Sequence, residues 1–348
     1  MRNFNDHLIL KGSQIREALT RLNTLAMDAI LFVVDDQKRL IGSLTDGDVR
    51  RGFLKNLSTE DKVEDFIQAN PKYVNKNNYS LEQIIDLREN DFRIIPVLNG
   101  EHEVVNIINF RFLQSYLPLD AVVMAGGKGS RLKPLTDSVP KPLLKIGNKP
   151  IMEYCIERLS KFGVDDFWIS LGYLGEQLEE YFGDGKNRGI DIRYIKEDKP
   201  LGTIGAVSKI KEFEHDYVLV TNSDILTAID YEDFFLYFME QDADMAIATI
   251  PYSIDVPYAV LETSDNKIIS FSEKPTYTFY SNGGIYLIKA ELLKKIPIDT
   301  FYNSTDFMQK LLQEGYKVIS YPMRQYWLDI GKPKDFEKAQ ADIKHLNL

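Results

Sequence analysis

A short apolar run ends in a glycine-rich loop at Met124-Ala125-Gly126-Gly127-Lys128-Gly129-Ser130-Arg131-Leu132. Glycines let the backbone turn sharply and bring its N–H groups against phosphate oxygens. Arg131 adds a guanidinium that can grip a phosphate through two parallel bonds. Two familiar glycine patterns do not fit. A dinucleotide fingerprint needs a third glycine where this chain has Leu132, and a P-loop needs Ser or Thr after its lysine, where Lys128 precedes Gly129. Pro140-Lys141-Pro142-Leu143-Leu144 follows. Two prolines fix the backbone around one lysine, which suits a point-charge contact to a phosphate. Taken singly, the loop reads equally as a structural turn and the lysine as a solvated side chain.

Asp224 and Asp329 lie 105 positions apart, and each follows an apolar, strand-like run. Strand ends on one sheet can bring two such carboxylates together. With phosphate oxygens and water they would suit Mg²⁺, a cation that prefers oxygen. A strand-end aspartate is also commonly a helix N-cap or a turn residue.

These groups need a scaffold. From Asp120 onward strand and helix patterns alternate. Strands are predicted over 121–125, 167–171, 217–221 and 243–250, and helices over 151–163, 175–182 and 231–239. Such alternation implies a Rossmann-like, mostly parallel mixed sheet with helices on both faces, an α/β class in which ligands bind outside the carboxyl ends of the strands.

The first third reads differently. Residues 15–54 and 79–117 match in outline at an offset of 63 or 64, each as helix, short strand, polar turn, strand and closing helix. Neither copy alone covers both faces of its small sheet, so the two should pack together as one α+β domain. The expected boundaries are 1–118 and 119–348, at Leu117-Pro118.

Bulk composition narrows the classes. The chain has 348 residues and 44% hydrophobic content, enough for full cores, and a net charge of −10. The first 118 residues carry −2 and the remainder −8. That acidity argues against a nucleic-acid binder working by bulk charge. No apolar run approaches the ~18 residues of a membrane span, and the start, Met1 to His7, has no leader-type apolar core. One cysteine fits a reducing cytoplasm. Cys155 reads as helix core, as do the aromatics of residues 234–238.

The motifs then carry a resemblance. The glycine loop and Pro-Lys-Pro-Leu resemble the signature of the sugar-1-phosphate nucleotidylyltransferases. Five more segments resemble that family's motifs in order: Pro200-Leu201-Gly202-Thr203-Ile204-Gly205, Asn222-Ser223-Asp224, Ser272-Glu273-Lys274-Pro275, Ser281-Asn282-Gly283-Gly284 and Trp327-Leu328-Asp329-Ile330-Gly331. The resemblance implies transfer of a nucleoside monophosphate from an NTP to a sugar 1-phosphate, with release of pyrophosphate. It implies that Gly126, Gly127, Gly129, Ser130 and Arg131 cradle the triphosphate and that Gly202 and Thr203 border the nucleobase. It implies catalytic roles for Arg131 and Lys141, and Mg²⁺ on Asp224 and Asp329. Lys274 would hold the sugar phosphate, with Glu273, Asn282 and Gly283 around the sugar.

Pro-Leu-Gly-Thr-x-Gly looks more like guanylyltransferases than thymidylyl- or cytidylyltransferases, so GTP is the expected donor. In the first repeat, Gly42-Ser43-Leu44-Thr45-Asp46-Gly47-Asp48 resembles the CBS-domain motif, in which Thr45 and Asp48 would bind an adenine nucleotide. The second repeat has Arg111 or Phe112 where Asp48 stands, so at most one intact site is expected per pair. A tandem CBS domain ahead of this transferase resembles the proteins that make GDP-glucosamine for legionaminic-acid-type pathways. A homo-oligomer formed through the CBS domains is expected. Mannose- or heptose-1-phosphate guanylyltransferases, uridylyl- or thymidylyltransferases and a catalytically silent nucleotide-sensing protein are the alternatives.

Overall fold

The structure is a computed structural model that describes residues 4–76 and 78–346, so Met1-Arg2-Asn3 lies outside the described residues. Two compact units form. One comprises Met1–Pro118 with Ser160–Asp165 and Gly185–Asp191, and the other comprises the rest.

The first unit holds β1 (Leu8–Leu10), α1 (Ile15–Leu25), β2 (Ile30–Val34), β3 (Leu40–Thr45), α2 (Asp46–Leu54) and β4 (Gln68–Ala69). The second repeat follows with β5 (Val74–Asn75), α3 (Leu81–Glu89), β6 (Ile94–Leu98) and β7 (Val104–Asn109). The repeat shows in the hydrogen-bond ladders. β1 runs parallel to β2, and β5 to β6. The hairpins β2–β3 and β6–β7 each carry a bulge, after Val33 and after Val97. Leu8, Phe32, Val34 and Leu40 of the first half share a buried cluster with Leu98 and Val104 of the second. The halves thus cover each other, as expected.

The expected closing helix of the second repeat does not form: residues 110–117 are turns and irregular chain. In the first repeat Thr45 caps α2. Its hydroxyl accepts from the Asp48 N–H, and the Asp48 carboxylate accepts from the Thr45 N–H at 2.9 Å. In the second repeat the Asn109 side chain accepts from the Arg111 N–H, a local turn that competes with helix. The Gln114 and Leu117 N–H groups are taken by the carbonyls of Lys161 and Phe162.

The second unit contains β8 (Asp120–Met124), β9 (Lys145–Ile146), β10 (Lys149–Pro150), α4 (Ile151–Lys161), β11 (Asp166–Leu171), α5 (Gly175–Phe182), β12 (Asp191–Lys196), β13 (Tyr217–Asn222), β14 (Ile225–Thr227) and α6 (Tyr231–Glu240). It continues with β15 (Met245–Asp255), β16 (Val260–Ser264), β17 (Lys267–Ser272), β18 (Thr276–Lys289), α7 (Ala290–Leu293), α8 (Ser304–Gln313), β19 (Val318–Pro322), β20 (Trp327–Asp329) and α9 (Pro333–Asp342).

Seven strands form the main sheet in the order β12-β11-β8-β13-β18-β15-β19. β8 is parallel to β11 and β13, and β15 to β19, while β18 runs antiparallel to its neighbours. Strands buried on both faces must be apolar throughout, which is why 121–123 and 218–220 read as Ala/Val/Leu runs. Val122, Val218, Val220, Met245 and Ile288 pack with Phe307 and Leu311 of α8 in one core. Asp230 caps α6 by accepting from the Glu232 and Asp233 N–H groups, and Tyr231, Phe234, Phe235 and Phe238 turn inward.

Two features leave this sheet. β14 and β20 form a separate two-stranded ribbon. The outer halves of β15 and β18 run on as a long arm that ends in the β16–β17 hairpin.

Candidate active site

Backbone geometry at the carboxyl end of β8 packs the glycine loop tightly. A Cβ built on Gly126 would fall 2.3 Å from Glu197 Oε1, so a side chain there would have to displace the Glu197 carboxylate. Gly129 adopts φ +60°, and a Cβ there would fall 2.9 Å from Lys141 Cβ, so the loop lies directly on Lys141. Gly127 faces open space. The Thr136 hydroxyl donates to the Gly129 carbonyl at 3.0 Å and holds the loop from behind. Ser130 and Arg131 stand exposed on a single 3₁₀ turn (Ser130–Leu132), where an α-helix would have followed in a simple strand-to-helix turn.

Lys141 is not a solvated loop lysine. Its side chain is 10% exposed, and its ammonium donates to Asp224 Oδ2. The ribbon explains how the two aspartates meet. Ile225 pairs with Asp329 in the β14–β20 ladder, and the Ile330 N–H donates to the Asp224 carbonyl at 3.0 Å. The meeting place is therefore this ribbon rather than the main sheet. A Cβ built on Gly331 would lie 3.3 Å from Arg131 Nη2 and 3.5 Å from Asp329 Oδ1, so guanidinium and carboxylate converge there. Burial, then the Asp224 charge, raises the Asp329 carboxyl, while Lys141 and Arg131 oppose that rise. The result is a compact group of two cations and two carboxylates beside the glycine loop.

One oxygen of each carboxylate, Asp224 Oδ1 and Asp329 Oδ1, is buried without a hydrogen-bond partner. Buried polar atoms are rarely left so, and two orphan carboxylate oxygens fit a hard divalent cation. Among the described residues no group of three or more His, Cys, Asp or Glu side chains assembles. A cation here would therefore complete its shell with water and phosphate oxygens.

The Pro-Leu-Gly-Thr loop is braced by residues 302–304. Gly202 has φ +80°, and a Cβ there would fall 2.5 Å from the Tyr302 carbonyl oxygen. The Thr203 hydroxyl is engaged internally, accepting from the Ser304 N–H at 2.8 Å. Gly283 is buried in β18, where its carbonyl accepts from the Trp327 indole N–H at 2.9 Å, and Asn282 Oδ1 accepts from the Gly284 N–H. Glu273 and Lys274 are exposed in the arm and make no hydrogen bond or ion pair with another described residue.

Sequence reasoning missed Glu197. It follows β12 directly, lies against Gly126, and accepts from the Leu201 N–H at 3.1 Å, so it joins both loops. Burial pushes its carboxyl up, against hydrogen bonds from Leu201 and Ser170. Its place at the carboxyl end of a sheet strand was the available signal.

In the first unit Thr45 and Asp48 form the helix cap, and Asp48 also accepts from Arg51. In the second repeat Arg111 pairs across the repeats with buried Asp28 at 2.6 Å.

A Rossmann-like sheet with a glycine loop and a charge group at the ends of its strands fits a nucleotidyltransferase. The chain belongs to the nucleotidyl transferase family, whose model matches residues 120–345, and a CBS-domain model matches residues 9–55. It is 33% identical over 232 residues to the D-glycero-α-D-manno-heptose 1-phosphate guanylyltransferase of Aneurinibacillus thermoaerophilus, covering 65% of this chain and 99% of that protein. It is also 33% identical to a UTP–glucose-1-phosphate uridylyltransferase of Synechocystis, and 29% to a mannose-1-phosphate guanylyltransferase of Mycobacterium tuberculosis. Those matches cover 64% and 65% of this chain and 62% and 64% of the two proteins, so the chain spans less than two thirds of either.

Among solved structures, HddC from Yersinia pseudotuberculosis complexed with GMP-PN matches at TM-score 0.50 and 26% identity, covering 64% of this chain and 99% of that one. A Bacillus anthracis protein solved with sucrose shares the fold at TM-score 0.53 and 24% identity, covering 66% and 97%. No helix among the described residues is long and apolar enough to cross a membrane.

Proposed function

We propose that the protein transfers GMP from GTP to glucosamine 1-phosphate, giving a GDP-sugar and pyrophosphate. The observation that carries this reading is the convergence of Arg131, Lys141, Asp224 and Asp329 on the glycine loop. A sugar phosphate oxygen attacks the α-phosphorus in line. The new P–O bond forms as the bond to the β-phosphate oxygen breaks, and that electron pair leaves with pyrophosphate. No protein nucleophile is needed, so catalysis is positioning and charge neutralisation.

The N–H groups of the loop from Gly126 to Ser130 hold the triphosphate. Arg131 and Lys141 offset the charge that develops on the phosphates. Asp224 and Asp329, each with one buried oxygen lacking a hydrogen-bond partner, would hold Mg²⁺. When bound, that ion neutralises phosphate charge. Gly202 and Thr203 border the base. Glu273, Lys274, Asn282 and Gly283 serve the sugar phosphate.

Guanine is supported by the Pro-Leu-Gly-Thr-x-Gly loop, by the guanylyltransferase names of two relatives, and by the GMP-PN bound in HddC. Glucosamine rests on the CBS-transferase arrangement. Heptose 1-phosphate is the second reading, favoured by the relative that this chain covers almost completely. A pyrophosphate-release screen of the common NTPs against glucosamine, mannose and heptose 1-phosphates, with and without EDTA, tests both. Turnover with GTP and glucosamine 1-phosphate that stops with EDTA is expected. Turnover with another pair overturns the substrate assignment, and silence across the panel overturns the activity. The CBS unit is proposed to bind an adenine nucleotide at Thr45 and Asp48, displacing Arg51. Calorimetry of the full chain with AMP and ATP checks this, and an absence of heat would leave the unit a structural role.

A further inference from the structure

We propose that residues 251–281 form the interface of a homodimer, the arm of one copy lying on the arm of a second. The arm's strand register sorts its side chains. In the β15–β18 ladder Tyr252 pairs with Phe279 and Ile254 with Tyr277, so these four share one face. The other face carries Ser253 with Thr278 and Asp255 with Thr276, both hydrogen-bonded pairs. In the tip hairpin Leu261 pairs with Phe271 and, past a bulge at Ile269, Thr263 pairs with Ile268, which places Ile268 on the side of Leu261 and Phe271, while Glu262 and Ser270 bond on the opposite side. One apolar and one polar face is the pattern of a sheet with one side buried.

Nothing among the described residues buries it. The seven apolar side chains are 42–68% exposed, and Tyr258 and Ile269 are exposed beside them, while Tyr280 stands on the face of Thr278. The arm's hydrogen bonds join arm residues to one another. An isolated hairpin is marginal in water, so an uncovered ribbon of this length needs a partner surface.

Three observations select a second copy as that surface. The seven side chains offer on the order of 700 Å², close to the ~800 Å² that each partner gives to a standard interface. Among the described residues the hairpin strands β16 and β17 pair only with each other, which leaves both outer edges open to an antiparallel partner. The arm carries Lys267 and Lys274 against Asp255, Glu262, Asp265 and Glu273, a net −2 that two copies tolerate. Two identical faces related by a two-fold axis cover each other, as isologous dimers require. The same contact would fix the turn that carries Glu273 and Lys274.

The full chain would be followed by sedimentation from 1 to 50 µM (assay range, chosen to span about the micromolar regime). A dimer is expected. Ile254→Glu with Phe279→Glu should raise its dissociation constant at least ~100-fold, and Leu261→Lys with Phe271→Lys should do the same from the tip. Thermal unfolding of the dilute chain should match wild type, because these positions touch no core. Amide exchange should show the arm protected at high concentration and open on dilution. A wild-type monomer throughout, or variants that stay dimeric, would overturn the proposal. So would an arm protected in the monomer, which would mean that it folds onto its own chain.

Discussion

Lys141 carries the charge balance of the site, and Lys141→Met tests it. Methionine keeps a stem of similar length and removes the cation. Asp224 then loses its partner, and Asp329, already raised by burial and by the Asp224 charge, loses one of the two cations that oppose the rise. Removing one member of a buried pair costs about 3–5 kcal/mol. Here the side chains are 10% and 20% exposed, so water screens part of the stranded charge and the lower end, ~3 kcal/mol, applies. For a unit of this size the midpoint moves roughly 2–4 °C per kcal/mol, a drop of ~6–12 °C. On the proposal that Lys141 offsets charge on the phosphates, its loss should cost roughly 10²–10³ in kcat. The double variant Lys141→Met/Asp224→Asn separates the two effects. It removes the stranded carboxylate, so the midpoint should return to within about 3 °C of wild type while turnover stays low. Differential scanning calorimetry and a pyrophosphate-release assay read the two quantities. A Lys141→Met enzyme that kept more than about a third of wild-type kcat would refute the role of Lys141 at the phosphates. An unchanged midpoint would refute the stability argument.

Other outcomes follow from the same geometry. Gly126→Ala places a methyl 2.3 Å from Glu197 Oε1, and overpacking of this kind costs about 1–3 kcal/mol; NTP KM should rise by roughly 5–150-fold, and adding Glu197→Ala should recover most of it. Burial, helped by the Asp224 charge, pushes the Cys155 thiol up to about 12. The native chain should therefore leave a disulfide reagent untouched at neutral pH, and guanidinium should release one thiol. The Glu197 carboxyl is raised by burial, so the folded chain keeps that proton at a higher pH than the unfolded chain does. Its contribution to stability is full below the ordinary glutamate range and declines as pH climbs through the raised value. Glu197→Gln should flatten that part of a denaturant-midpoint profile, and an unchanged slope would remove Glu197 as its source.

What was legible in the sequence and what was not divides along the range of the interactions. The alternating sheet was readable because strands buried on both faces must be apolar, and residues 121–123 and 218–220 obey this locally. The glycine loop and Asp224 stand where such runs stop, which is where α/β sheets bind ligands. The absent closing helix was not readable. Its backbone donors are taken by the carbonyls of Lys161 and Phe162, far along the chain, and no local pattern announces that competition. Thr203 illustrates the same limit: its hydroxyl faces Ser304, which arrives from a segment about 100 residues later. Asp329 was placed by motif, while the contact that brings it to Asp224 is a three-residue ribbon between distant segments. The arm combines both cases. The alternation of Tyr252 and Ile254, and of Tyr277 and Phe279, is local and marks a half-buried strand. Among the described residues nothing covers that face, and the same patterning rule that located the core is what motivates the proposed arm-to-arm contact.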